Sequence, residues 1–126
     1  RYLLKCGIMR WIQPMTGFNR GDVVLVEFVF SDKAETKRRP ALIISSDYYN
    51  RGRQEIIIAA ITSRVDRILP ADCKIDNWKE AGLLFPSVVT GVIRTIKQSA
   101  IERVLGTMPI ADMQRASDSV RIALDL

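Results

Sequence analysis

Arginine and threonine are the residues whose types and positions in this sequence could do chemistry. Lys37, Arg38 and Arg39 run directly into Pro40 and the apolar stretch Ala41-Leu42-Ile43-Ile44. A loop anchored by a rigid strand end is a common place for a binding or catalytic group, and Arg39 is tied to the strand through Pro40. A guanidinium is planar and can donate two parallel hydrogen bonds to one phosphate. Thr62 and Ser63 close the apolar run Ile56 to Ile61, where a hydroxyl can bond a phosphate oxygen or a sugar hydroxyl. Further basic residues follow at Arg51, Arg53, Arg64, Arg67 and Arg94. Taken alone, the basic run reads equally as a solvated charged loop, and Thr62 as an ordinary β-favouring residue.

What is missing narrows the chemistry. The chain has no histidine, the usual general acid–base group at neutral pH. It has no GxGxxG, GxxxxGK[ST], HExxH or GxSxG pattern, which argues against nucleotide binding and the common hydrolase mechanisms. Ser45 and Ser46 have no histidine to activate them. Cys6 and Cys73 are too few for a disulfide framework and form no CxxC pair; a reducing cytosol suits them. A zinc site would have to combine carboxylates with two distant thiols, so neither a metal nor a cofactor is expected. Nineteen Lys and Arg against fourteen Asp and Glu leave a formal charge of +5. That excess suits an anionic partner, nucleic acid first, and equally an acidic protein.

The elements that must position these groups follow from patterning. The chain's 126 residues fit one domain. Residues 1–17 lack a regular period and carry Pro14 and Gly17. They are set apart as an N-terminal extension of uncertain origin, with Met9 and Met15 as alternative natural starts, and residues 18–126 form the domain. The run LLKCGIMRWI has no small-residue cleavage site and is broken by Lys5 and Arg10, so it is not read as a signal peptide. No apolar run approaches the ~20 residues that span a bilayer.

GDVVLVEFVF reads as a strand covered on both faces, SDKAETKRR as a hairpin-type loop, and ALIISS as a second strand opened by Pro40. DYYNRGRQ reads as a turn built on Asn50 and Gly52, and EIIIAAITS as the most buried strand. DCKID suggests a short strand, and NWKEAG a helical turn stopped by Gly82. SVVTGVIRTI suggests a strand pair or one strand bulged at Gly91, and ERVLGTM a last strand. After Pro109, the spacing of Ile110, Met113, Val120, Ala123 and Leu124 predicts an amphipathic C-terminal helix. The fold class is mainly β with a C-terminal helix, a small twisted sheet or barrel.

The series GDVVLVEF, KRRPALIIS, IIIAAITS, WKEAGLLFPSVV and IRTI, in that order over Gly21 to Leu126, resembles the MazF/PemK group of toxins from type II toxin–antitoxin systems. The resemblance implies an SH3-like barrel of the CcdB/PemK type, a homodimer, and a cytoplasmic, metal-independent endoribonuclease that cuts single-stranded RNA such as mRNA. A cognate antitoxin would block the RNA site. The arginine before proline matches Arg39 and the threonine ending the third strand matches Thr62; both positions are catalytic in the family. Glu35, Lys37, Arg38, Ser63, Arg64 and Arg94 are the accompanying substrate-binding candidates. Tyr48, Tyr49 and Phe30 are candidates for stacking on bases.

The chain departs from the family pattern in a shorter first loop and in Gly91, where some relatives carry a carboxylate. The reaction implied is attack of the ribose 2′-hydroxyl on phosphorus, leaving a 2′,3′-cyclic phosphate and a 5′-hydroxyl. Arginine keeps its proton in proteins, so the base is left to Glu35 or to the substrate itself. Two rival readings are a gyrase-poisoning toxin of the CcdB type and a non-catalytic SH3-like nucleic-acid-binding module.

Overall fold

Valines on both faces of one strand set the architecture. The computed structural model describes residues 17–30 and 35–126. The N-terminal extension expected over residues 1–17 therefore lies, except for Gly17, outside the described residues. The elements run β1 (Asp22–Phe30), β2 (Glu35–Ile43), α1 (Asp47–Gly52), β3 (Glu55–Thr62), β4 (Cys73–Lys74), β5 (Val88–Lys97), a 3-10 turn (Gln98–Ala100), β6 (Ile101–Thr107) and α2 (Ile110–Leu124). The strands hydrogen-bond antiparallel in the order β4-β5-β3-β2-β1-β6. The result is the expected mainly-β fold with a C-terminal helix. Its sheet stays open, with β4 and β6 as its two ends.

Successive side chains on a strand face opposite ways, so β1 divides its valines between two cores. Val23 joins Leu42, Ala59, Ile61, Leu83, Met108 and Ala116 beneath α2 and the 76–82 turn. Val24 and Val26 join Phe28, Ala41, Ile43, Ile56, Ile58 and Ile101 on the other face. Burying apolar surface on both sides, at about 25 cal/mol per Å², makes β1 to β3 the rigid slab on which the rest is hung.

Three sequence expectations are corrected. Lys37, Arg38 and Arg39 lie in β2, not in a loop, because β2 pairs with β1 all the way back to Phe30↔Glu35. Pro40 thus stands inside a strand instead of opening one. DYYNRGRQ contains a helix: Asp47–Gly52 is capped by the Ser46 hydroxyl, which accepts from the Tyr49 amide at 3.1 Å. Asn50 is no turn-former there. It is buried and donates to the Ser45 carbonyl at 3.2 Å, while Ser45 Oγ accepts from the Ile57 amide at 3.0 Å. The third correction is the inward face of α2. Asp112 and Ala116 are its buried residues, and Ile110 is 88% exposed.

Asp112 explains that rotation. Its carboxylate accepts from the amides of Asp76 at 2.9 Å and Asn77 at 3.1 Å, and from Asn77 Nδ2 at 3.1 Å. Arg115, one turn along, donates to it as well. The helix is pinned by a buried polar clamp, and Ala116, being small, lets it lie close to the sheet. Burial acts to raise the Asp112 pKa, but the amides of Asp76 and Asn77, the Asn77 side chain and Arg115 outweigh it and hold the carboxyl below its usual value.

The clamp's target, the 76–82 turn, is itself pressed onto β6. Gly82 adopts φ +87, and a Cβ there would fall well inside contact distance of the Leu105 carbonyl, while one on Gly106 would strike the Ala81 carbonyl. Only glycine permits both the left-handed backbone and the approach.

Two outcomes follow from these contacts. Gly82→Ala will lose roughly 2–4 kcal/mol of unfolding free energy in urea titrations, whereas Gly52→Ala, helical and with open space around it, will lose nothing and gain up to about 1 kcal/mol. Because the folded Asp112 pKa is depressed, its contribution is complete above the unfolded carboxylate value of about 3.9 and disappears as pH falls through the lower folded value. Asp112→Asn will be less stable than the parent at neutral pH, and its stability will fall less steeply below about pH 4. Parallel curves for the two proteins in that window would contradict the clamp.

Candidate active site

The site begins where two strands part. β2 and β3 pair at only three positions, Ala41↔Ala60, Leu42↔Ala59 and Ile43↔Ile58. Beyond them β2 continues with β1 alone, back toward Glu35, and β3 continues with β5 alone, out to Thr62. Ile44 donates its amide to Ile57 at 3.0 Å. By the alternation of an antiparallel ladder, Leu42 and then Pro40 are the next residues back whose backbone faces β3. Proline has no amide to donate, so the ladder stops there. Arg39 and Pro40 are left on one side of a fork, Ile61, Thr62 and Ser63 on the other.

A hollow opens on each side of this fork, and Arg39, Ile61, Thr62 and Ser63 line both. The first, about 440 Å³, continues over Leu25, Pro40, Leu83, Phe85 and Arg103. The second, about 370 Å³, continues over Phe28, Arg64, Thr90, Val92 and Arg94. Both fall in the size range of small-molecule clefts. The structure thus brings together five of the eight sequence-derived candidates: Arg39, Thr62, Ser63, Arg64 and Arg94. Lys37 and Arg38 line neither hollow, and Arg38 is ion-paired with Glu102 of β6 at 2.8 Å. Glu35 opens β2, but its side chain lies outside the described residues. Tyr48 and Tyr49 sit on α1 and line neither hollow, and Phe30's side chain is likewise outside the description.

Several side chains have one orientation imposed on them. Thr62 Oγ1 accepts the Arg64 amide at 3.1 Å, which fixes the oxygen and leaves its proton to be donated. The Arg94 guanidinium lies over the Phe28 ring, 5.5 Å from its centroid and within the ~6 Å reach of such contacts. β5 slips register between its Ile93↔Ala59 and Val89↔Ile61 pairs. This is the irregularity expected at Gly91, in a single continuous strand. Thr90 Oγ1 holds it by donating to the Ala60 carbonyl at 2.7 Å, and Asp72 accepts the Gly91 amide at 3.1 Å and the Leu69 amide at 2.9 Å. One carboxylate therefore fastens the 64–72 loop to the wall of the second hollow.

Chemically, the fork presents fixed donors to an anion. Arg39 has no carboxylate partner among the described residues, and Arg64 meets only the exposed Asp66, at 3.8 Å. Cys73 is no nucleophile for this site: burial pushes its thiol above the ordinary value, and it lies across the sheet on β4. Among the described residues no three His, Cys, Asp or Glu side chains converge as a metal site requires. Arg103, Phe85 and Leu84 are the lining residues that sequence reasoning missed. They sat in segments read for strand and turn pattern, and their nearness to Arg39 depends on β6 folding back beside β1.

No curated protein sequence matches the chain. Among solved structures, the fold is similar to the Mycobacterium tuberculosis toxin MazF-mt6, 24% identical, over 83% of this chain and 97% of that one, with a TM-score of 0.69. It is also similar to an endoribonuclease in complex with its cognate antitoxin from a mycobacterial species, 21% identical over 86% and 96%, TM-score 0.72. A third is MazE-MazF from Deinococcus radiodurans, 19% identical over 88% and 99%, TM-score 0.73. At such identities the likeness speaks for the shared fold. The sequence itself matches one family from residue 19 to residue 124, across the fork, both hollows and the helix. The chain belongs to the PemK-like, MazF-like toxins of type II toxin–antitoxin systems.

Proposed function

We propose that this toxin is a sequence-selective, metal-independent endoribonuclease that cleaves single-stranded RNA, chiefly mRNA, in the cytoplasm, and that a cognate antitoxin inhibits it. One observation carries the reading: Arg39 on one side of the β2–β3 fork and Thr62 and Ser63 on the other line both of the hollows that meet there. A single strand laid through the fork has one nucleotide in each hollow and its phosphodiester at the donors. Solved relatives described as endoribonucleases, one of them held by its antitoxin, support the same activity here. Ile122 and Leu124, exposed on α2, leave apolar surface that a second copy would cover in a homodimer.

In this mechanism the 2′-oxygen bonds to phosphorus as the bond to the 5′-oxygen breaks. The products are a 2′,3′-cyclic phosphate and a 5′-hydroxyl. The 2′-hydroxyl gives up one proton and the departing oxygen takes one. Negative charge grows on the phosphoryl oxygens, and donors already aimed there lower the barrier without reorganising. Arg39 supplies a charged two-pronged donor, and Thr62 a hydroxyl whose oxygen is held by the Arg64 amide. Ser63, Arg64 and Arg94 bind flanking phosphates. Glu35 or a phosphoryl oxygen of the substrate receives the first proton. A 2′-hydroxyl requirement makes the enzyme blind to DNA.

Incubated with a long single-stranded RNA in EDTA, the parent will give discrete fragments with cyclic phosphate ends. Arg39→Ala and Thr62→Val, folded by circular dichroism, will each be slower by about 100–1000-fold. Intact RNA with the folded parent, or variants that cut at the parental rate, would overturn the reading. Glu35→Gln separates the two proton acceptors. A loss of about 100-fold or more identifies the carboxylate, and an unchanged rate identifies the substrate oxygen.

A further inference from the structure

The first hollow holds a second arginine that the reaction above does not use. We infer that Arg103 is a substrate-positioning residue that grips the phosphate of the nucleotide beside the scissile bond, while that nucleotide's base rests on the apolar floor of the hollow. The inference rests on the ribonuclease reading and adds a subsite to it.

Leu25 of β1 is the hinge of the geometry. Pro40 pairs with it from β2 and Arg103 pairs with it from β6, and directly opposed residues project from the same face of a sheet. Pro40, Leu25 and Arg103 thus form a row across three strands, and all three line the hollow that ends at Arg39, Thr62 and Ser63. Arg103 is exposed, and among the described residues no carboxylate pairs with it. Its neighbour Glu102 is taken by Arg38. The nearest acid on β6 is thereby neutralised, and Arg103 stays available.

The floor between the two arginines is apolar. Leu84 is 82% exposed and Phe85 63% exposed, beside Leu83 and Leu105. Large apolar side chains left in water at the edge of a cleft are costly unless a ligand covers them. A nucleotide has both halves of the complement: an anionic phosphate for the guanidinium, and a base whose π-face stacks on an aromatic ring. An acidic peptide would also meet the two arginines. The nucleotide is favoured because the hollow is continuous with the Arg39–Thr62 fork, where the phosphodiester chain already has to pass.

The test uses the full chain, Arg103→Ala, Arg103→Lys and Phe85→Ala. Binding of a short mixed-sequence 2′-O-methyl RNA, which lacks the nucleophile, is titrated against salt. Cleavage kinetics are measured on the same long RNA. Arg103→Ala will raise KM about tenfold and leave kcat within about twofold. Its log–log salt slope will be shallower by about 0.7, one single-strand phosphate contact. Arg103→Lys will keep the parental slope and recover part of the KM, since charge survives but the fork-shaped donor does not. Phe85→Ala will weaken binding with the slope unchanged.

An Arg103→Ala enzyme with parental KM and slope overturns the subsite. So does an Arg103→Ala enzyme that resists inhibition by poly-glutamate yet handles RNA as the parent does, because the hollow would then serve an acidic protein. If the folded parent neither binds nor cuts RNA, the ribonuclease reading fails first and the subsite with it.

Discussion

The missing amide of Pro40 is the constraint on which the rest of this molecule turns. A β-ladder propagates only while each facing residue can supply its donor and acceptor, and at Pro40 the donor toward β3 does not exist. Three residue pairs hold β2 to β3, and then the strands diverge. That divergence sets Arg39 across from Thr62 with open space between them, and it puts one hollow on each face of the break. Continued in the same register, the ladder would have set Arg39 directly against Thr62 on one face of a closed surface, with no cleft between the strands. Because β2 is still bonded to β1 and β3 to β5, the fork has rigid walls despite its open middle.

The charge that matters at the fork is what survives local pairing. Arg38 is spent on Glu102, Arg53 on Glu55, Arg121 on Asp118 and Arg115 on Asp76 and Asp112. Arg20 donates to the Ile44 carbonyl and to Ser117. Apart from Arg115–Asp112, which belongs to the buried clamp, exposed pairs like these contribute little to stability, yet they remove cations from competition for an anionic ligand. The arginines that line the hollows are Arg39, Arg64, Arg94 and Arg103. Among the described residues only Arg64 of these faces a carboxylate, at long range. Four arginines thus gather at the fork, where a phosphate chain would lie.

Much of this was legible in the residues, and the failures have physical causes. β-Branched runs marked β1, β3 and β5, and Gly91 marked the slip in β5, because strand periodicity is a local property. Arg39 and Thr62 were singled out by position at strand ends, although Arg39 was assigned to a loop. Its charge-rich neighbourhood looks like solvated coil until pairing with β1 extends β2 backward. The α1 helix was hidden by Asn50 and Gly52, which resemble turn residues, while the cap signal Ser46-Asp47 pointed the other way. The inward face of α2 was misread because a buried carboxylate, Asp112, sets the rotation, and apolar periodicity gives no weight to an aspartate. Arg103 could not be found locally at all, since the residue that brings it to Arg39 is Leu25, which is paired on both sides.

The division of labour between the two ends of the fold follows from the absence of histidine. Without a side chain that titrates near neutrality, the site has to act through donors that keep their protons, and such donors work only if they are already in place. Placement requires a frame that does not relax when an anion arrives. The Asp112 clamp, the Gly82–Gly106 contact and the two valine-lined cores supply that frame, and Gly82, Leu83, Ile61 and Phe28 carry it to the walls of the hollows. Among the described residues the fork is sparsely satisfied: Pro40 offers β3 no amide, Thr62 accepts the Arg64 amide and keeps its proton, and Arg39 has no carboxylate partner. A fold selected for stability alone would have closed that gap. Keeping it open, while bracing its walls with Asp72, Thr90 and the Arg94–Phe28 stack, leaves a cleft whose polar groups find their remaining partners on a ligand.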